Sequence, residues 1–321
     1  MAWQAATFAD MPKFGDAISI PLGAQYSGAI SNISDLQSAL SNTSIDVIEW
    51  TGGYINSRVE LNAGHLLAGQ RRYITGIGDL PPIRAFGGLA DAGFTIIDMN
   101  FGTNKPTDVK GQRIDLINSK NFIVSGCTRS WAGDGSFLHF GNLRGGSTDN
   151  LLVQRCEFTG TQSSPREFMA VIAPSWLSDF YGNDWWDAEQ QWEAETNGFR
   201  FLDNKCHNIG DSIQLQCELD VEPNRGRHYS VIDHKNVEIA GNLVTSAGGN
   251  AENGFDFKGS SQTYANRAKI HHNVIAGFRP SEGGGTDALG EAVVVHFQDQ
   301  YVEIADNIVD NCSIAFNIKP P

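Results

Sequence analysis

The chain has 321 residues, of which 40% are hydrophobic and 19% are charged, and its formal net charge is −14. This composition provides for a large buried core and excludes a disordered or fibrous protein. The negative charge argues against binding to nucleic acid or to an anionic membrane surface. No apolar run reaches the roughly 18 residues that a membrane-spanning helix needs.

The N-terminal region differs in pattern from the rest of the chain. Residues 1–16 lack a basic segment followed by an apolar one, so they do not have the form of a secretory leader. Residues 34–40 have the pattern of a short capped helix, and residues 46–50 that of a strand. We expect residues 1–60 to form an N-terminal extension and cap within a single domain that spans 1–321, because no linker interrupts the chain.

A short pattern recurs six times in the rest of the chain. In each copy the first and third residues are apolar, as in a strand, and the sixth is Cys twice and then Asn four times. The copies are Phe122–Cys127, Leu151–Cys156, Phe199–Asn204, Val237–Asn242, Ala268–Asn273 and Val302–Asn307. Such strands pair in parallel about 4.8 Å apart, and inward Asn residues hydrogen-bond between coils as a ladder. The pattern predicts an all-β, right-handed, single-stranded parallel β-helix, which is a solenoid.

The five Cys residues are an odd number without zinc-binding spacing, and each lies beside apolar residues. We interpret them as mostly buried structural thiols.

A second strand follows each bend. These strands are residues 137–140, 213–216, 255–258, 293–296 and 314–317. Alternation places Phe255 and Phe257 inside the solenoid and Asp256 and Lys258 outside. Stacking of the coils then predicts one exposed polar stripe with two further polar residues beside it. The stripe comprises His139, Gln216, Lys258, His296 and Asn317, and the residues beside it are Gln214 and Asp256.

The longest gap between repeats holds an aromatic-rich loop insertion, residues 174–197, with four of the seven Trp residues. Flat aromatic rings are platforms for sugar rings, so Tyr181, Trp185 and Trp186 are candidate substrate-binding residues. The alternative is a loop with its own small hydrophobic core.

Two short segments carry a family resemblance. Residues 252–259 read Glu-Asn-Gly-Phe-Asp-Phe-Lys-Gly, and residues 231–234 read Val-Ile-Asp-His. Together with the ladder they resemble the pectate-lyase superfamily of right-handed β-helix polysaccharide lyases, in which a helix often plugs the first coil. The Arg-x-Pro-x-x-Arg pattern of the main pectate lyase family is absent, so the exact family is not identified.

The resemblance implies β-elimination on an acidic, uronic-acid-containing polysaccharide, in a groove along the stripe and beside the insertion. A base removes the C5 proton, while Ca²⁺ or a basic side chain neutralises the adjacent carboxylate. Lys258 is the candidate base, with Asp256 beside it and His296 as a second base or the acid. The candidate Ca²⁺ ligands are Glu218, Glu252 and Asp256. Substrate carboxylates are expected at Arg225 and Arg227, and further substrate contacts at Gln214, Gln216, His139 and Asn317.

Two other functions remain open from the sequence. One is a glycoside hydrolase of the same fold that uses paired carboxylates. The other is a phage tailspike-type or carbohydrate-binding β-helix. We expect an extracellular, secreted protein or a virion-associated one, monomeric unless it is a trimeric tailspike, with an acidic polysaccharide or oligosaccharide as its partner.

Overall fold

The computed structural model describes residues 8–53, 55, 57–101, 114–130, 137–143, 147–160, 169–173, 192–209, 211–215, 232–246, 253–257, 261, 263–279, 290–296 and 301–318. No helix in these ranges is long and apolar enough to cross a membrane.

Parallel strands dominate the described chain and form three sheets. The ten-stranded sheet contains, in spatial order, β1 (Tyr26–Ile30), β2 (Val47–Trp50), β4 (Arg71–Gly76), β6 (Gly93–Ile97), β8 (Ile123–Ser125), β12 (Leu152–Gln154), β16 (Arg200–Leu202), β20 (Glu238–Ala240), β23 (Ala268–His271) and β26 (Val302–Ala305). The six-stranded sheet contains β9 (Thr128–Ser130), β13 (Glu157–Thr159), β17 (Lys205–His207), β21 (Leu243–Thr245), β24 (Val274–Ala276) and β27 (Ile308–Asp310).

The twelve-stranded sheet has a main path and a side branch. The main path contains β3 (Val59–Asn62), β5 (Ile83–Phe86), β7 (Ile114–Ile117), β10 (Leu138–Leu143), β14 (Met169–Ala173), β18 (Asp211–Leu215), β22 (Asn253–Phe257), β25 (Glu291–Val295) and β28 (Ile314–Ile318). The branch contains β11 (Thr148–Asp149), β15 (Trp192–Asn197) and β19 (Ile232–Lys235), and β15 pairs antiparallel with β10.

From β8 onwards the chain visits the three sheets in a fixed order. From β20 in the ten-stranded sheet it passes to β21 in the six-stranded sheet and then to β22 in the twelve-stranded sheet. One such passage is a coil, and the strands of neighbouring coils pair in parallel. This arrangement is all-β and is compatible with the parallel β-helix that the sequence predicts. The core inside the coils is apolar and includes Phe158, Phe201, Phe255 and Phe257.

The predicted Asn ladder is present at the bend between the ten-stranded and six-stranded sheets. The side-chain oxygen of Asn242 accepts hydrogen bonds from the backbone and side-chain nitrogens of Asn204, at 2.8 and 3.1 Å. Asn242 donates in the same way to Asn273, and Asn273 to Asn307. The ladder thus satisfies backbone groups that the bend takes out of the sheets.

The residue before each ladder position has a left-handed backbone. At Asp203, Gly241, His272 and Asp306 the φ angle lies between 52° and 68°. This conformation turns the chain sharply, and it favours Gly, Asp and Asn over most residues.

A helix covers the first coil, as the sequence predicts. It is α1, Ile33–Ser41, with Asn32 as its N-cap and Leu36 and Leu40 buried against the core. The buried guanidinium of Arg72 donates hydrogen bonds to five backbone carbonyls at the C-terminal end of the helix and near it. The acceptors are the oxygens of Ala39, Leu40, Asn42, Ile45 and His65. A cation at a helix C-terminus also interacts favourably with the helix dipole.

The N-terminal segment, residues 8–24, contacts the outer face of the ten-stranded sheet. The carboxylate of Asp203 accepts hydrogen bonds from the backbone nitrogens of Phe14 and Gly15, at 2.9 to 3.2 Å. Further along, Ile18 and Ile20 pack against apolar residues of the first coils. This segment gives the outer face of the sheet an apolar cover.

Three features of the fold go beyond the sequence prediction. Coils continue between the strand predicted at residues 46–50 and Phe122, at β4 and β6, and a six-stranded sheet follows the bend. The predicted loop insertion of residues 174–197 is wrong at its C-terminal end, because Trp192–Asn197 is strand β15. Residues 174–191 of that insertion lie outside the described residues.

Candidate functional site

A continuous line of residues runs along the twelve-stranded sheet on the side opposite the core. We call it the outward column, and each member is the register partner of the next on the neighbouring strand. The members are Glu60, Arg84, Asp115, His139, Ile172, Gln214, Asp256, Val294 and Asn317.

The outward column corrects the predicted stripe in two respects. His139 and Asn317 align with Asp256, not with His296, which lies two residues further along its strand direction. The stripe was also predicted to be exposed, whereas His139 and Asp256 are 0% and 1% exposed. The side chain of His139 therefore does not reach the surface to contact a substrate.

Two predicted catalytic residues lie together. Asp256 is on β22 and His296 directly follows β25, the next strand. The Nε2 atom of His296 lies 3.0 Å from Oδ1 of Asp256, within ion-pair distance but without hydrogen-bond alignment. The imidazole is 19% exposed, so it borders the surface while the carboxylate lies below it. We call these two residues the Asp256–His296 pair.

The strand register explains why the pair forms. The backbone nitrogen of His296 donates a 2.7 Å hydrogen bond to the oxygen of Phe257, which extends the pairing of β22 with β25. Phe257 is buried in the core, so its neighbour Asp256 faces outward. Sequence alternation alone is enough to predict the orientation of Asp256, and the pairing brings His296 to it.

Asn317, a predicted substrate contact, is engaged within the protein. Its side-chain nitrogen donates a hydrogen bond to Oε1 of Glu291 on β25, and Glu291 is fully buried. Any substrate contact by Asn317 would therefore compete with this bond.

The other end of the outward column is also charged. The guanidinium of Arg58 contacts the carboxylate of Asp115, with Nη2 3.7 Å from Oδ2. His139 is the next member after Asp115, and its burial lowers the pKa of the imidazole to about 3, so this ring is neutral at physiological pH. This end therefore contains a buried neutral imidazole close to an ion pair.

Most of the other predicted site residues lie outside the described residues. They are Lys258, Gln216, Glu218, Glu252, Arg225, Arg227, Tyr181, Trp185 and Trp186. Gln214 belongs to the outward column, but only its backbone is described.

Of the three predicted Ca²⁺ ligands, only Asp256 can be placed. Its carboxylate is buried, and its Oδ1 lies 3.0 Å from Nε2 of His296. Among the described residues no group of three or more His, Cys, Asp or Glu side chains is arranged to hold a metal ion.

Two charged members of the outward column, Arg84 and Asp115, were not predicted from the sequence. Arg84 and Asp115 stand in strands that read Ile-Arg-Ala-Phe and Ile-Asp-Leu-Ile, with the same alternation as Phe-Asp-Phe around Asp256. This alternation indicates that Arg84 and Asp115 face outward, but both strands precede Phe122, where the first recognised repeat begins.

Comparison with known proteins adds no relative. No protein-family model, no curated protein and no solved structure matches the chain.

Proposed function

We propose that the chain is a right-handed parallel β-helix of the pectate-lyase type that cleaves an acidic, uronic-acid-containing polysaccharide by β-elimination. The observation that supports this proposal best is the Asp256–His296 pair, in which an imidazole that borders the surface lies against a buried carboxylate on the outer face of the sheet. The family resemblance of residues 252–259 supports the same reaction.

The proposed reaction needs a base at C5 of the uronic acid and a proton for the departing oxygen. The base takes the C5 proton, the electron pair forms the C4–C5 double bond, and the C4–O bond breaks. The imidazole of His296 is the base in this scheme, because it is the group of the pair that borders the surface. The departing oxygen then takes a proton from the conjugate acid or from water.

Asp256 is a positioning residue in this scheme. A buried carboxylate next to one ring nitrogen holds the imidazole in place and stabilises the imidazolium that forms. Contacts of this kind often reach full alignment only when a substrate binds.

Lys258 is the alternative base. It follows Asp256 by two residues, so strand alternation in the sequence predicts that it faces outward on the same side. Arg225 and Arg227 are the proposed partners of the substrate carboxylate, because guanidinium groups bind carboxylates with two parallel hydrogen bonds. The proposed reaction contains no step through Ca²⁺, because two of the three candidate ligands, Glu218 and Glu252, lie outside the described residues.

The test is incubation with alginate, polygalacturonate and glycosaminoglycans, with Ca²⁺ or with EDTA, while absorbance of the unsaturated product is followed near 235 nm. We expect a rise on at least one acidic glycan, and a loss of about 10²- to 10⁴-fold in rate for His296→Ala. His207→Ala is the matched control, because His207 lies on β17 in the six-stranded sheet.

Three outcomes separate the alternatives. No rise on any acidic glycan, with new reducing ends on a neutral one, would make the protein a hydrolase. Binding without cleavage would favour the tailspike-type function. Cleavage that persists in His296→Ala but stops in Lys258→Ala would transfer the role of base to Lys258.

A further inference from the structure

Two exposed aromatic side chains lie in contact where the chain leaves the strands of the Asp256–His296 pair. Tyr264 is 64% exposed and Tyr301 is 46% exposed. Their ring centroids are 5.9 Å apart and the rings are nearly perpendicular, at 84°. Large aromatic side chains normally bury their area, so an exposed pair is a candidate for binding.

The two tyrosines follow the catalytic strands along the chain. Tyr264 comes after β22, which carries Asp256, and Tyr301 is five residues beyond His296. Five residues span at most about 18 Å even when fully extended. The tyrosine pair therefore lies at the same edge of the twelve-stranded sheet as the Asp256–His296 pair, within a few sugar residues of it.

The backbone holds both tyrosines in place. Tyr301 forms an antiparallel bridge with Ser261, and its backbone nitrogen donates a 2.9 Å hydrogen bond to the oxygen of that residue. On its other side, the oxygen of Tyr301 accepts a 3.1 Å hydrogen bond from Ala268. Tyr264 belongs to a single 3-10 turn, Tyr264–Asn266.

An ion pair fixes the side chains around the rings. The guanidinium of Arg267 lies 4.2 Å from the centroid of the Tyr264 ring, and its Nη2 is 2.5 Å from Oε2 of Glu303. Arg267 also donates a 3.1 Å hydrogen bond to the backbone oxygen of Tyr264. A surface that is already ordered loses little conformational entropy when a ligand binds.

We propose that Tyr264 and Tyr301 form a sugar-stacking subsite that continues the groove beyond the Asp256–His296 pair, a role that rests on the proposed function. The C–H face of a pyranose packs on an exposed tyrosine ring, as apolar surfaces do on aromatic side chains. The charged groups of Arg267 and Glu303 at the rim bind the ring hydroxyls. The ligand class is thus a pyranose unit of the same polysaccharide.

The test measures binding by calorimetry, separately from cleavage. The probes are hexasaccharides of polygalacturonate and of alginate, with cellohexaose as a neutral probe, and every variant carries His296→Ala to prevent turnover. We expect Tyr264→Ala and Tyr301→Ala to weaken binding about tenfold each. Tyr264→Phe and Tyr301→Phe should retain binding, because the ring is kept. Tyr26→Ala is the matched control, since Tyr26 is 55% exposed on the first coil.

The outcomes distinguish this subsite from the lyase function. Unchanged affinity in both alanine variants, with an unchanged thermal melt, overturns the subsite even if the native protein is a lyase. Absence of binding to all three probes overturns it as well. Tyrosine-dependent binding of cellohexaose alone supports a sugar subsite and contradicts the acidic substrate.

Discussion

The imidazole of His296 and the carboxylate of Asp256 approach to 3.0 Å although the two residues are forty positions apart in the chain. Parallel pairing of β22 with β25 produces this approach. It makes Val294 the register partner of Asp256, and His296 follows Val294 by two residues while its backbone nitrogen bonds to the oxygen of Phe257. The contact thus depends on the parallel pairing of strands that are distant in sequence and not on a local motif.

The first prediction concerns the carboxylate of this pair. Asp256→Asn keeps the shape of the side chain and removes the charge that would stabilise an imidazolium at His296. We expect the rate constant kcat for β-elimination to fall about 10²- to 10⁴-fold, with KM little changed, because Asp256 is buried below the imidazole. Steady-state kinetics at 235 nm measure both constants. An increase in KM at unchanged kcat would contradict a positioning role and indicate a contact with the substrate.

The second prediction concerns the ladder. Asn242→Ala removes the acceptor of the Asn204 backbone nitrogen and the donor to the oxygen of Phe201, which are both buried. Each buried polar group left without a partner costs about 1–3 kcal/mol, so for two groups we expect a loss of about 2–6 kcal/mol in the free energy of unfolding. Urea unfolding followed by circular dichroism measures this loss.

The control for the ladder is Lys269→Ala, which changes an exposed residue on the adjacent coil. It should change the free energy of unfolding by less than about 0.5 kcal/mol. If Asn242→Ala changed the free energy of unfolding by as little as Lys269→Ala, the ladder would not contribute to stability.

The ladder is also the part of the molecule that the sequence predicted best. The same residue recurs at the same bend, so one observation repeated in each coil identifies the bend, the inward side and the parallel pairing. The strands around Phe255 and Val293 followed from simple alternation for the same reason.

The candidate site was less predictable, because it depends on which coils are neighbours and on what covers them. Alternation correctly placed Asp256 on the outer side, but it carries no information about burial by other parts of the chain, so His139 was wrongly expected to be exposed. The predicted alignment of Asn317 with His296 was wrong by two residues, because a strand pattern alone does not fix the register between coils. The tyrosine pair had no periodic signal, because Tyr264 and Tyr301 lie in connections between strands.

The third prediction concerns the helix α1 and the residue that holds its C-terminal end. Arg72→Met removes all five hydrogen bonds that the guanidinium donates to carbonyls at and near the end of α1. We expect a loss of at least about 3 kcal/mol in the free energy of unfolding, because buried carbonyl groups lose their partners. Arg72→Lys should recover only part of it, since an ammonium has three donors and lacks the planar fork.

Arg200→Met is the control for Arg72, because Arg200 is exposed on β16. Thermal melts of the three variants give the comparison. Equal melting temperatures for Arg72→Met and Arg200→Met would show that the helix does not depend on Arg72.

The fourth prediction concerns the thiols. Burial raises the pKa of Cys156 and Cys206, and the thiolate is the form that reacts with alkylating agents. In the native protein we expect Cys127, Cys156 and Cys206 to resist iodoacetamide at pH 8 and Cys312, which is half-buried, to react faster. Mass spectrometry of peptides after timed labelling resolves each site. Rapid labelling of Cys156 would contradict its place inside the coil.

The fifth prediction uses the buried imidazole of His139, whose pKa lies near 3 in the folded protein against an ordinary value of 6.5. Below pH 6.5 the unfolded chain binds a proton at this residue while the folded protein does not, so acid favours unfolding. The contribution grows by up to about 1.4 kcal/mol per pH unit as the pH falls from 6.5 towards 3. The glutamine side chain of His139→Gln does not titrate, so the stability of this variant lacks this pH-dependent contribution. The free energy of unfolding of both proteins is measured with urea at pH 7, 6, 5 and 4. We expect it to fall more steeply with decreasing pH for the native protein than for His139→Gln. A difference that stays constant from pH 7 to pH 4 would show that His139 takes up its proton in the folded state as easily as in the unfolded one.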